Sequence, residues 1–95
     1  MTMSYKRSAE VAEWVLKYAK GVCEHCSVPA PFFTHGGTPY LEVHHVVPLA
    51  DGGADTVENA VAVCPNCHRA AHYSVDAAEI RDRLFGYLRT RRYSV

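Results

Sequence analysis

The stretch LEVHHVVPLADGGADTVENAVAVCPNCHRAAH, residues 41–72, decides how this chain is read. It ends in a cysteine knuckle, CPNC at 64–67, that runs without a break into His68 and then His72. Near its start stands an adjacent histidine pair, His44 and His45, and Asn59 lies between the pair and the knuckle. Upstream, residues 23–26 read CEHC, a second knuckle that matches the first. The chain therefore carries ligands for two metals of different kinds. One set is closed by four cysteines; the other is open and rich in imidazole.

The cysteines follow the pattern C-x2-C-x37-C-x2-C. Each knuckle offers two thiolates at the spacing that grips one tetrahedral ion, and four thiolates close its shell. Cys23, Cys26, Cys64 and Cys67 are accordingly read as a structural zinc site, not a catalytic one. All the cysteines fall into the two matched pairs, which argues against free or redox thiols. His25, inside the first knuckle, reads as a surface residue. His68 and His72 are four apart on a predicted helix, so they share a face and can chelate one ion. Cys67 sits about 100° round that helix from His68. One helix thus presents a thiolate to the zinc and an imidazole to a different cleft. His44 and His45 close a predicted strand, where neighbouring side chains point to opposite faces. For both to reach one cleft, the strand end has to bend.

Working outward, residues 8–20 have the apolar spacing of an amphipathic helix, with Val11, Trp14, Val15 and Tyr18 on one face and Ser8 as N-cap. Gly21 is a natural stop. Residues 27–39 are rich in Pro, Gly and Thr and read as loop. YLEVHHVV at 40–47 and NAVAV at 59–63 have strand character. A helix is expected from Pro65, a residue suited to a first turn. A last helix is expected over 76–92, capped by Ser74, with Ile80, Leu84, Tyr87 and Leu88 on one face. The fold class is α+β: one domain over residues 1–95 in which flanking helices bracket a metal-stapled core at 23–72.

Composition narrows the setting. Apolar residues make up 48% of the 95, too many for a disordered chain. A chain this short often recruits a metal as a staple. No apolar run approaches the ~20 residues of a membrane span, and the first residues lack a signal-peptide stretch. The expected location is the reducing cytoplasm, where paired knuckles favour zinc over disulfides. Ten basic and ten acidic residues cancel, so overall charge gives no argument for nucleic acid. The distribution is uneven: Arg81, Arg83, Arg89, Arg91 and Arg92 face one acid, Asp82. They read either as a phosphate-contacting patch or as a helix end complementing its dipole.

From Cys23 to His72 the chain resembles the HNH endonucleases, whose core is the ββα-metal (His-Me finger) fold. The histidine pair, the GG turn, the ENA segment and the CxxCH knuckle occur in that family's order, and the spacing is similar to that of colicin-type nuclease domains. The resemblance implies that His45 is the general base and that Asn59 braces the loop that orients it. It implies that His44, His68 and His72 hold one catalytic divalent metal. Position 44 is often aspartate in the family. An all-imidazole shell suits Mn2+, Ni2+, Co2+ or Zn2+ better than Mg2+, which prefers oxygen. The implied reaction is hydrolysis of DNA, expected double-stranded, leaving 5′-phosphate and 3′-hydroxyl ends. His45 would take the proton of the attacking water, and the metal would neutralise charge growing on the phosphate.

Arg69 reads either as a phosphate clamp or as a solvated helix residue, and Glu42 as a strand-surface residue. A separate DNA-recognising partner is expected beside so small a core. The competing reading is a catalytically inactive zinc-ribbon module that binds nucleic acid or protein. A general base and its brace have no use in such a module.

Overall fold

A computed structural model describes residues 8–91. Its first helix, α1 (Ala9–Ala19), begins as expected: the Ser8 hydroxyl accepts a hydrogen bond from the Val11 amide at 3.3 Å. It stops at Ala19, two residues before Gly21. Lys20 adopts a left-handed conformation (φ 53°) and donates its amide to the Lys17 carbonyl. The α1 face carrying Val15 and Ala19 is buried against the strands, with Val11 and Trp14 packed at its edge.

Strands β1 (Glu42–His45) and β2 (Ala60–Val63) form a two-stranded antiparallel sheet, with His44 opposite Val61 and His45 opposite Ala60. Every residue of β2 is buried, which explains its unbroken apolar run. β1 is shorter than the expected 40–47. Beyond His45 the ladder passes to a side chain: the Val46 amide still bonds the Asn59 carbonyl, but the Val47 amide bonds Asn59 Oδ1. The GG turn has a steric reason. Gly52 lies at φ 87°, and a Cβ on Gly53 would sit 1.9 Å from the Val47 carbonyl oxygen.

Helix α2 (Pro65–Tyr73) starts at Cys64, whose Sγ accepts the Cys67 amide at 3.4 Å, with Pro65 in the first turn. Ser74 ends this helix instead of capping the next. Its amide bonds the Ala70 carbonyl, and its hydroxyl takes the Asp76 amide within the turn. Helix α3 (Ala77–Thr90) buries Ile80, Leu84 and Leu88. The expected extension to residue 92 fails at Arg91, which is extended (ψ 140°), and residue 92 lies outside the described residues.

Arg91 also leaves the basic patch. Its guanidinium is fully buried, bonds Glu24 and the Val57 and Ala60 carbonyls, and lies 5.3–5.6 Å from the ring centres of Trp14, Tyr18 and Tyr87. The Glu24 carboxylate in turn accepts the Ala62 amide and the Tyr87 hydroxyl. A charge this deep is tolerable only with its partners in place. Together they bind the first knuckle to β2 and α3. Among the described residues no helix is long and apolar enough to cross a membrane.

Candidate metal centre and active site

The two knuckles converge. The Sγ atoms of Cys23, Cys26, Cys64 and Cys67 all lie within 4.8 Å of one another, and none is in a disulfide. A tetrahedron with Zn–S bonds of ~2.3 Å has edges of roughly 3.8 Å, so the donor set fits that ion. Burial raises the Cys67 thiol far above its ordinary range, and the neighbouring sulfurs raise it further. Burial opposes ionisation of Cys23, but the amides of Cys26, Cys64 and His25 outweigh it and bring the thiol down to about 7. His25 is not simply a surface residue: it is half-buried, with Nδ1 3.4 Å from Cys67 Sγ.

A second cluster is formed by His68 and His72 of α2 and His44 of β1. The rings of His44, His68 and His72 form a near-equilateral triangle, with centroids 5.1, 4.9 and 5.0 Å apart. One nitrogen from each lies within 4.8 Å of the others. Burial, then the neighbouring imidazoles, lowers His44 to about 4, and the same causes in the same order, with Arg69, lower His72. Both are neutral at pH 7, as metal binding requires. His44 Nδ1 is buried without a hydrogen-bond partner. Three clustered imidazoles, one with a stranded ring nitrogen, fit a divalent transition ion.

His45 opens on the same space. It and the three clustered histidines line a cavity of about 370 Å³. The strand ends at His45, and there the chain turns into the loop, so adjacent residues reach one cleft. His45 Nε2 lies 2.8 Å from Asp55 Oδ1. The Ser8 amide, at the start of α1, donates to the other Asp55 oxygen. Among the described residues the Asn59 side chain hydrogen-bonds only backbone: Oδ1 accepts the Val47 amide, and Nδ2 donates to the Val47 and Ala54 carbonyls at 2.9 and 2.8 Å. It ties both ends of the loop that follows His45.

A sequence model described as HNH endonuclease matches residues 23–74, from the first knuckle to the end of α2. The chain belongs to the HNH endonuclease family. It is 54% identical over 81 residues to the type IV methyl-directed restriction enzyme EcoKMcrA of Escherichia coli (strain K12), covering 85% of this chain and 29% of that protein. A shorter similarity, 38% over 29 residues, links it to anaredoxin of Nostoc sp. (strain PCC 7120 / SAG 25.82 / UTEX 2576), covering 30% of this chain and 38% of that protein. Among solved structures it is similar to the type IV phosphorothioation-dependent restriction endonuclease ScoMcrA. The TM-score is 0.80 at 34% identity, over 90% of this chain and 19% of that one. The chain thus spans less than a third of either restriction enzyme.

Within this HNH fold, the sequence reading missed the contacts of three polar residues. Asp55 is one. The DGGAD turn offered Asp51 and Asp55 as acids near the histidine pair, but nothing in the sequence chose between them. Glu42 and Tyr40 are the others. Glu42 is no idle surface residue: Oε1 lies 2.8 Å from His68 Nδ1, and Oε2 accepts the Tyr40 hydroxyl at 2.7 Å. The Tyr40 and His68 hydrogen bonds hold its carboxyl below the ordinary range, so it is ionised at neutral pH.

A carboxylate on the outer nitrogen of a ligating histidine fixes the ring and raises its basicity. Replacing Glu42 with glutamine is therefore expected to weaken divalent-metal affinity by about 10- to 100-fold. Calorimetric titration with Mn2+ checks this, and unchanged affinity would remove Glu42 from the metal site.

Proposed function

We propose that this chain is a metal-dependent HNH nuclease module that hydrolyses phosphodiester bonds of double-stranded DNA. One observation carries the reading: His45, with Nε2 turned to Asp55, shares a cavity with the three-histidine cluster. Asp55 accepts a hydrogen bond from Nε2–H, so Nδ1 keeps its lone pair and can take a proton from water. Asn59 holds the loop so that His45 stays in register. His44, His68 and His72 would hold the divalent ion, whose chemistry when bound is Lewis-acid stabilisation of a phosphate oxygen. Cys23, Cys26, Cys64 and Cys67 would hold a structural Zn2+. Arg69, exposed on α2 beside His68, would pair with substrate phosphate.

The names of the two restriction enzymes describe methyl-directed and phosphorothioation-dependent action. By extension, we place this module in restriction of modified DNA, with recognition of the modification made outside these residues by a partner or further domain.

A supercoiled-plasmid nicking assay tests the reading. Activity is expected with Mn2+, Ni2+ or Co2+ and to be weaker with Mg2+, because imidazole suits the transition ions and Mg2+ prefers oxygen. His44→Asp supplies an oxygen ligand and is expected to move the preference toward Mg2+. No cleavage with any of these ions would overturn the nuclease reading. An unshifted preference in the variant would take His44 off the metal.

A further inference from the structure

A second groove opens off the histidine cavity. It shares Val43, His68 and His72 with that cavity and encloses about 670 Å³, within the range that holds a small ligand or one unit of a larger one. Tyr40 borders it on the strand side, stacked on Phe32 at 4.7 Å between ring centres. Arg69 and Tyr73 border it from α2. Tyr73 is 77% exposed, beyond what core packing explains. Its ring centre lies 6.0 Å from the Arg69 guanidinium carbon and 6.0 Å from the His72 ring centre.

Exposed aromatics occur singly on many surfaces without meaning. Here the ring stands beside a cation, on the rim of the proposed reaction site and across from a second aromatic. Among the described residues no carboxylate lies within 4.0 Å of the Arg69 guanidinium, so its fork is open to an anion. The one acid lining this groove, Glu42, has its oxygens engaged by Tyr40 and His68.

We propose that the groove bounded by Tyr40, Arg69 and Tyr73 is the subsite for the nucleotide next to the scissile phosphate, with Arg69 on its phosphate and its base stacked on Tyr73. This rests on the nuclease reading and adds its substrate contacts. Guanidinium forks match phosphate geometry, and an aromatic face accepts any base. The subsite therefore favours DNA that can unstack locally over a particular base sequence.

The test uses the whole chain with its zinc retained. Binding of a fluorescently labelled DNA duplex is followed by anisotropy without added divalent metal, for wild type, Tyr73→Ala, Tyr73→Phe and Arg69→Gln. Tyr73→Ala is expected to weaken binding by roughly 5- to 100-fold, while Tyr73→Phe keeps it, since the ring and not the hydroxyl makes the contact. Arg69→Gln is expected to lower the slope of log affinity against log salt by about one.

Plasmid cleavage and hydrolysis of methyl p-nitrophenyl phosphate, a diester with no base, are measured alongside. Tyr73→Ala should raise KM for plasmid and leave the small diester untouched. Wild-type binding by Tyr73→Ala would overturn the subsite, as would equal loss in Tyr73→Phe or parallel loss on both substrates. Weakened binding by Tyr73→Ala together with wild-type protein that cleaves neither substrate would keep the nucleotide contact at Tyr73 and sink the nuclease reading.

Discussion

His45→Ala is expected to leave a folded, metal-binding protein that has lost DNA cleavage by about 10²–10⁴-fold, the usual contribution of a general base. Metal binding should survive because His45 is not one of the three clustered imidazoles. The loss should fall on kcat, since the base acts on water in the chemical step and the phosphate contacts stay in place. Asp55→Asn is the companion variant. It removes the carboxylate hydrogen-bonded to His45 Nε2, and on the proposed mechanism it should reproduce part of the loss with unchanged metal content. Nicking rates, together with metal analysis of each variant, decide the matter. His45→Ala cutting at the wild-type rate would mean that another residue is the base.

The second large effect concerns the cysteines. Cys26→Ser is expected to abolish tight zinc retention and to unfold or aggregate the protein. Structural zinc sites of this kind contribute ~10–16 kcal/mol of apparent binding free energy. That matches or exceeds the net stability of ~5–15 kcal/mol typical of a whole domain. The core available to resist the loss is small, built on β2, Val15, Leu84 and a few neighbours. The consequence reaches the proposed active site through α2. Cys64 caps that helix, Cys67 lies in its first turns, and His68 and His72 follow on the same rod. Freeing the N-terminus of α2 frees two corners of the histidine triangle. Zinc content and thermal unfolding measure the outcome. A Cys26→Ser protein with unchanged zinc and an unchanged melting temperature would refute the assignment of this ligand.

The two groups of side chains able to hold metal were legible before any fold was known. Thiolate and imidazole are among the few side chains that bind transition ions, and the knuckle and i, i+4 spacings announce chelation directly. The helices and strands were legible too, with their ends shifted by a few residues. Those shifts have local causes: Asn59 takes over the ladder from β1, Lys20 ends α1 before Gly21, and Arg91 turns inward. The bend that brings His44 and His45 into one cavity was anticipated as a requirement but not as a geometry.

What the sequence determined by itself was the inventory: which atoms can hold metal, which histidine has a motif position for a base, and which segments form the core. The tertiary structure alone decided the partners. His45 meets Asp55 across 10 residues, His68 meets Glu42 across 26, and Arg91 meets Glu24 across 67. No periodicity connects such pairs, because each depends on how elements pack and which way a side chain leaves the backbone. The same packing turned one arginine of a basic run into a buried keystone and left Arg69 and Tyr73 exposed on the rim of the groove. Composition treats all the arginines alike, and only the position of the backbone under each one separates them.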